Sequence, residues 1–449
     1  AVMDNKTIYA LSTVFGKSGV AVIRVSGTKA FDVIAKMTDL DDSKIISRKM
    51  YLTKFYNPVS RETLDNSLLV AFKAPASFTG ENTVEINCHG SKAVIKSFLE
   101  ALSLLSDFRL AEPGEFSRRS FYNGKMDLTE ADGLADLIDA ETSLQQKVAL
   151  QQMGGTLFDI YNDWRSRLVS VLSYIEAYID FPDENIPRDT VFKIENNVFK
   201  IIEEIKSHLQ KNNIEERLRD GFRVVIAGPT NAGKSSLINT IVKRNVAIVS
   251  DIAGTTRDVI EAYVDLKGFP VIFTDTAGLR DSDDKIEQIG INLAKDKIAE
   301  ADFCLFMFDA QKDSQEIFAP YIKSSKIPYL LVANKCDKIS AELKDHLEAA
   351  GCIMISVKEN KNINILTDKI YEVFQNMYER GAAQLITRQR YKESLRECLE
   401  NLTRFNLQKE IELAAEDIRL ACRAIGKITG QVEVDEILDK IFSSFCIGK

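Results

Sequence analysis

Apolar and polar positions change their period along this chain, and each change marks a different kind of element. Over residues 3–120 short apolar runs alternate with turn clusters. Residues 7–11, 20–25, 68–72 and 83–87 read as strands, and residues 92–105 carry apolar positions at the spacing of an amphipathic helix. Turn-forming residues at 16–19 and 74–77 separate these pieces, and the mixture predicts an α+β domain. From about Asn123 to Arg219 the period becomes helical, first through Leu128, Ala131, Leu134, Ala135 and Ile138, then through Leu168, Val171, Leu172 and Ile175. Phe181-Pro182 breaks that run, and residues 191–219 read as a charged helix or helix pair.

The pattern changes again at residues 221–377, where buried-type strands (223–227, 271–274, 303–308, 329–333 and 352–355) alternate with helical stretches. Such alternation predicts a doubly wound parallel sheet. Residues 381–449 return to a helical period, with one stripe through Ile411, Leu413, Ile418, Ala421 and Ile425 and another through Val434, Ile437, Leu438, Ile441 and Phe442. Each helical block is too thin to bury its stripe alone. The expected architecture is therefore multidomain: an α+β N-terminal domain over residues 1–120, an all-α helical domain from 121–219 and 379–449, and an α/β domain inserted at 220–378.

The inserted block carries the chemistry. Residues 228–235 read Gly-Pro-Thr-Asn-Ala-Gly-Lys-Ser, a phosphate loop of the form G-x-x-x-x-G-K-[ST], between a buried strand and a helical run. Its glycines let backbone N–H groups of Asn231, Ala232, Gly233, Lys234, Ser235 and Ser236 turn toward phosphate oxygens at a helix N-terminus. Lys234 would reach the β- and γ-phosphates, and the Ser235 hydroxyl would ligate Mg²⁺. This loop alone leaves ATP and GTP open. Asn334-Lys335-Cys336-Asp337 follows a later strand, and its aspartate can accept from guanine N1–H and the 2-amino group, a pair adenine lacks. Ser356-Val357-Lys358 resembles the loop that supports guanine. Asp275-Thr276-Ala277-Gly278 ends another strand, with Asp275 facing Mg²⁺ and the Gly278 N–H facing the γ-phosphate. Thr256, within Gly254–Asp258, is the candidate switch hydroxyl on Mg²⁺. Leu279 stands where signalling GTPases keep a water-orienting glutamine, so another residue must supply that role. Glu287 could reach back to do so; read by itself, it is more often a solvated helix glutamate.

Composition narrows the class. Charged residues are 28% and hydrophobic residues 45% of 449, as in a soluble globular protein, and neither a membrane-length apolar run nor a signal peptide is legible. Seven scattered cysteines without a C-x-x-C pair argue against a disulfide framework or a zinc site and point to a reducing cytoplasm. Net charge is −8, but residues 1–120 hold 16 Lys and Arg against 13 Asp and Glu, so the remainder carries −11. The surface as a whole does not advertise nucleic-acid binding.

Together with Asp251-Ile-Ala-Gly-Thr-Thr-Arg-Asp258, Ala111-Glu-Pro-Gly-Glu-Phe-Ser117, Asn123-Gly-Lys-Met-Asp-Leu128 and the terminal Phe445-Cys-Ile-Gly-Lys449, these motifs make the whole chain resemble the MnmE (TrmE) family of tRNA modification GTPases. The resemblance implies a folate-binding N-terminal domain that dimerises the protein, a helical domain and an inserted G domain. It implies a flavin-dependent (FAD) partner, MnmG, and modification of carbon 5 of the wobble uridine (position 34) of certain tRNAs to aminomethyl or carboxymethylaminomethyl derivatives. A one-carbon unit from 5-formyltetrahydrofolate or a related tetrahydrofolate would be used. It further implies K⁺ at the β/γ bridge, where a fixed cation stabilises transition-state charge. Asn231, Ser250, the Ile252 carbonyl and Thr255 would form the K⁺ shell, with Ser250 at a position that is often Thr in the family. Ser235 and Thr256 would hold Mg²⁺, Glu287 would be the catalytic glutamate, and Arg24, Glu85, Lys125 and Lys449 would contact folate. Cys446 would lie near the folate with a nucleophilic or redox role.

Two other readings stand beside this one. A ribosome-assembly switch would share the nucleotide domain but would bring a basic RNA-binding module in place of the acidic helical domain. A folate-dependent one-carbon transferase regulated by GTP would bind folate without a tRNA phenotype.

Overall fold

The structure is a computed structural model that describes residues 5–180, 188–210, 213–247, 261–275, 298, 300–324, 327–381, 388–408, 410–432, 435–443 and 445–448. The chain forms two compact units, one of residues 1–135, 153–176 and 418–449, the other of residues 136–152 and 177–417. The helical segments are shared between them.

In the first unit six strands form a sheet in the order β3-β4-β5-β2-β1-β6. They are β1 (Thr7–Leu11), β2 (Ser18–Ser26), β3 (Met50–Tyr56), β4 (Thr63–Phe72), β5 (Thr83–Gly90) and β6 (Phe108–Leu110). Helices α1 (Asp32–Met37) and α2 (Lys92–Ser103) bring Ile34 and Phe98 into a core with Ile23, Val25, Phe55, Val84 and Ile86. Ser91 caps α2 by accepting from the Val94 N–H at 3.1 Å. Two strands escape a sequence reading. β6 has only three residues, and β3 lies at the sheet edge with Met50 and Leu52 exposed, which blurs its alternation. Side chains alternate across a strand. With Ile23, Val25, Val84 and Ile86 facing the core, Arg24 of β2 and Glu85 of β5 share the opposite face, directly across from one another.

Helix α3 (Glu115–Tyr122) follows β6, and the first part of α4 (Leu128–Asp139) packs with α15 (Asp435–Ser443) through Leu128, Ala131, Leu438, Ile441 and Phe442. Arg118 of α3 pairs with Asp439 at 2.7 Å. The far C-terminus is thereby seated beside the N-terminal sheet.

The second unit contains seven strands in the order β13-β12-β11-β7-β10-β9-β8. Strands β7 (Phe222–Ala227), β10 (Phe269–Asp275), β11 (Phe303–Asp309), β12 (Tyr329–Asn334) and β13 (Ile353–Met354) are parallel. Helices α9 (Lys234–Arg244), α10 (Ala319–Ser324), α11 (Ala341–Ala349) and α12 (Ile363–Gly381) accompany them. The sheet departs from the expected all-parallel form at one edge, where β8 (Val246–Ala247) and β9 (Glu261–Leu266) run antiparallel. The cause is the two-residue turn Lys267-Gly268, with φ of 52° and 96°, which can only fold β9 back on β10.

Helix α5 (Ser143–Met153) and the pair α7 (Arg188–Gln210) and α8 (Asn213–Asp220) belong to this unit, as does α13 (Gln389–Arg404). α7 packs on α13 with Ile194, Val198, Ile201 and Ile205 buried on one helix and Tyr391, Leu395, Cys398 and Leu402 on the other. Helices α6 (Thr156–Asp180) and α14 (Ile411–Thr429) run through both units. α6 is described as far as Asp180, and the expected break at Phe181-Pro182 lies outside the described residues. The architecture is an α+β N-terminal domain, a helical domain and an inserted α/β P-loop domain.

Candidate functional site

In a parallel sheet the carboxyl ends of the strands gather at one edge, where ligands bind. Register aligns Asp275 with Ile226, Phe306 with Ala227, and Asp309 with Asn334. The ends of β10, β7, β11 and β12 therefore place Asp275, the 228–233 loop, Asp309 and Asn334 side by side.

Within the loop, Lys234 is buried and its ammonium donates to the carbonyls of Gly228 and Pro229, both at 2.8 Å. Burial lowers its pKa, while Asp275 opposes that shift by favouring the charge. The Ser235 hydroxyl donates to the carboxylate of Asp275. A hydroxyl and a carboxylate, side by side beneath a Lys-bearing nest, are hard oxygen donors of the kind Mg²⁺ takes. The donor set fits Mg²⁺ and a polyphosphate.

The base-reading loop is joined to this nest by two adjacent side chains. Asn334 Nδ2 donates to the Ala232 carbonyl at 2.8 Å, and Lys335 Nζ donates to the Asn231 carbonyl at 3.2 Å. Asn334 Oδ1 in turn accepts from the Val357 N–H at 3.2 Å, which draws the 356–358 loop to the same place. Ser356 is buried, and its hydrogen bond to Asp337 holds that carboxyl below its ordinary value. Asp337 is thus ionised and ready to accept two N–H groups. Lys358 is exposed. Gly233 has no alternative here: its φ is 99°, and an added Cβ would stand 2.5 Å from Asn334 Nδ2. Of the expected nucleotide residues, Asn231 to Ser236, Asp275, Asn334, Lys335, Asp337, Ser356 and Lys358 come together. Ser250, Ile252, Thr255, Thr256, Gly278 and Glu287 lie outside the described residues.

A second cluster lies in the N-terminal domain. Arg24 Nε and Nη2 each lie 2.9 Å from Glu85 Oε1. The Arg24 guanidinium stands 5.4 Å from the Phe78 ring centroid and 5.7 Å from that of Phe116, close enough for cation–π attraction. Lys125 is exposed, and its Cγ would lie 3.4 Å from a Cβ at Gly80, two residues from Phe78. Cys446 is exposed and its carbonyl faces the Gly114 N–H at 3.5 Å; Ile447 bridges Pro113, and the Ser12 hydroxyl donates to the Gly448 carbonyl at 3.0 Å. Gly448 therefore lies beside Leu11 and Ser12, next to Ala10, the β1 partner of Arg24. Lys449 lies outside the described residues.

Sequence reasoning did not find what supports this cluster. Arg119, 2% exposed, donates to both Glu81 oxygens at 3.1 Å, to Glu115 at 2.9 Å and to the Lys6 carbonyl at 3.0 Å. Arg109 grips Glu115 with two bonds of 2.7 Å, and Ser26 donates to Glu81 at 2.7 Å. Ser120 and Asn123 then hold the carbonyls of Phe78 and Thr79, both at 2.7 Å. The loop that bears Phe78 is pinned on both sides. Glu115 to Arg119 is an i,i+4 pair, the one legible signal of this network.

The family models and the curated relatives match along nearly the whole chain. A family model described as the MnmE helical domain matches residues 128–446, and one described as the GTP-binding protein TrmE N-terminus matches residues 7–125. The proteins named tRNA modification GTPase MnmE from Rickettsia rickettsii (strain Sheila Smith) and Rickettsia bellii (strain RML369-C) are each 45% identical over 446 residues, covering 99% of this chain and 100% of theirs. The one from Rickettsia prowazekii (strain Madrid E) is 43% identical over the same length and coverage. Among solved structures, Era in complex with MgGDPNP and a fragment of 16S ribosomal RNA aligns over 34% of this chain and 56% of that one, at 30% identity and a TM-score of 0.28.

Proposed function

The chain belongs to the MnmE family of tRNA modification GTPases, and from that premise we propose a K⁺-dependent GTPase that drives modification of carbon 5 of the wobble uridine, U34, in certain tRNAs. It is a GTP hydrolase that takes part in tRNA modification. In the finer reading it works with the FAD-dependent partner MnmG in the cytoplasm, and a tetrahydrofolate such as 5-formyltetrahydrofolate supplies the one-carbon unit for the aminomethyl or carboxymethylaminomethyl product. Among the described residues no helix is long and apolar enough to cross a membrane.

The observation that carries the nucleotide reading is the contact of Asn334 with the Ala232 carbonyl. It makes the base-reading loop and the phosphate loop one site. Lys234 and the loop N–H groups would neutralise the phosphates, and Ser235 with Thr256 would hold Mg²⁺. Asn231, exposed on the outer turn of the loop, would meet K⁺ together with Ser250, Ile252 and Thr255. A fixed monovalent cation would then stabilise the charge that builds between the β- and γ-phosphates. Glu287 would orient the attacking water in place of the glutamine whose position Leu279 occupies.

The folate reading rests on Arg24 and Glu85, with Lys125 and Lys449 as bases for the acidic tail of the ligand. A carboxylate suits the paired N–H donors of a pterin, and the exposed Phe78 ring beside the guanidinium offers a planar ligand a stacking surface. Cys446 would act beside it. Exposed Val14, Phe15 and Val20, with the exposed Met50 and Leu52 of edge strand β3, support a homodimer formed by this domain.

The test is GTP hydrolysis in K⁺ and in Na⁺ at matched ionic strength, combined with wobble-uridine analysis of tRNA from cells lacking the gene. Equal rates in the two salts would remove the K⁺ assignment, and unmodified U34 in the deletion strain is the expected cellular result.

A further inference from the structure

Asp309 closes strand β11 and is 4% exposed, yet it belongs to none of the nucleotide motifs. Its Oδ2 lies 2.6 Å from the Nζ of Lys335, and the same ammonium donates to the Asn231 carbonyl at 3.2 Å. Its Oδ1 accepts from the Gln311 N–H at 3.1 Å, and its backbone N–H donates to Asp313 at 3.2 Å, so both the carboxylate and the backbone of Asp309 are held. Asp309 is also the register partner of Asn334, and the Ala310 N–H continues the ladder to the Asn334 carbonyl at 3.0 Å. The result is a chain of contacts from the end of β11, through Lys335, to the phosphate loop.

That chain has a mechanical consequence. Asn231 and Lys335 both hold left-handed backbones, with φ of 63° each. A non-glycine residue persists in that region only where its surroundings hold it there. The Asn231 carbonyl is held by the Lys335 ammonium, which sits at the end of a flexible four-carbon stem. Without the Asp309 carboxylate the ammonium would be left with the single, longer bond to the Asn231 carbonyl.

We propose that Asp309 is a positioning residue for nucleotide binding: by anchoring Lys335 it clamps the Asn231 carbonyl and keeps the phosphate loop in its binding form. This rests on the guanine-nucleotide reading of the site. The effect is one of affinity and not of chemistry, because Asp309 touches no position that a reacting atom would occupy.

The experiment uses the full chain and a fluorescent GDP analogue. Asp309→Asn keeps the Oδ1 acceptor for Gln311 while facing Lys335 with an amide. It should speed release of the probe and raise KM for GTP roughly tenfold, the size expected for one lost charge-assisted hydrogen bond, with kcat within about twofold. The melting temperature should stay within about 3 °C of wild type. Lys335→Gln should produce a comparable change, the double variant should be no worse than Lys335→Gln alone, and Asp309→Glu should recover part of the loss. A release rate in Asp309→Asn equal to wild type overturns the proposal, and so do effects of the two substitutions that multiply. A wild-type chain that binds no guanine nucleotide overturns the reading of the site and the proposal with it.

Discussion

The side-chain amide of Asn334 donates to the carbonyl of Ala232 at 2.8 Å, across 102 positions of sequence. Its carbonyl accepts from the Val357 N–H at 3.2 Å, so one buried side chain joins the phosphate loop, the end of β12 and the 356–358 loop. Asn334→Ala removes both bonds and leaves the Ala232 carbonyl and the Val357 N–H without them. At about 1 kcal/mol for each bond, affinity for GTP should fall by a factor of roughly 30. Isothermal titration with a non-hydrolysable analogue measures it. An unchanged affinity would show that the two loops do not depend on each other.

The buried pairs around Arg119 make the N-terminal domain vulnerable at one point. Arg119→Met would leave Glu81 and Glu115 in place with one fewer cation between them, and Glu115 is 5% exposed. Breaking a buried pair by removing one partner typically costs about 3–5 kcal/mol. Urea unfolding of the full chain should show that loss in a transition belonging to the first unit. A loss below about 1 kcal/mol would mean that Arg109 compensates alone.

The same cluster sets an acid limit. Burial pushes the Glu115 carboxyl up, but the Arg109 guanidinium, the Glu112 N–H and Arg119 together push it further down, leaving it below its ordinary 4.5. A carboxylate whose folded pKa is depressed contributes stability that is full above its unfolded pKa and is lost as pH falls through the folded one. Stability of this domain should therefore be level above about pH 5 and decline below it. Glu115→Gln should be less stable than wild type at pH 7 and should flatten the acid slope. A slope unchanged in Glu115→Gln would assign the acid sensitivity to other carboxylates.

The parts of this protein that were legible in the sequence are those with a fixed local period or a fixed local spacing. The phosphate loop is eight consecutive residues between a strand and a helix, and Asn334 to Asp337 is a single turn after a buried run. Helix α2 declares itself by period alone, and so does most of the α14 stripe: Ile418, Ala421 and Ile425 are buried as expected, whereas Leu413 is exposed. What escaped reading depends on partners distant in the chain. Asp309 matters because β11 lies beside β12, and no spacing within residues 303–309 expresses that. Phe78 and Phe116 flank Arg24 only because β2 is sandwiched between β1 and β5, while α3 and the 78–81 loop fold toward it. The β9–β10 hairpin is not legible because its turn is Lys-Gly, without the Asn or Asp that usually marks two left-handed residues.

Glu85 and Arg24 are partners on the face of the sheet away from the core, and the folate proposal makes them a ligand-recognition pair. Glu85→Gln keeps the shape and an acceptor for Arg24 but loses the charge. If a pterin meets this carboxylate, affinity for 5-formyltetrahydrofolate should fall about tenfold while GTP hydrolysis is unchanged. The pair of measurements separates the two sites. A folate affinity equal to wild type would reduce Glu85 to a cross-strand ion pair for Arg24.

The C-terminal tail offers the sharpest test of how the N-terminal domain completes itself. All seven cysteines are free, six are buried, and Cys446 alone is exposed. Burial drives the Cys88 thiol to about 11 and the Cys304 thiol to about 12, so neither supplies thiolate near neutrality. A thiol reagent should therefore titrate one group quickly in the native protein and all seven after denaturation. Gly448 carries a φ of 99°, and an added Cβ would meet the Leu11 carbonyl at 2.2 Å. Gly448→Val cannot be accommodated without moving the tail, since the obstacle is backbone. The substitution should leave GTP hydrolysis and the melting temperature near wild type, because the tail adds few buried contacts beyond Phe445. It should change the labelling rate of Cys446 and lower folate affinity. A variant that binds folate normally with its tail displaced would place Cys446 and the residues after it outside the ligand's reach.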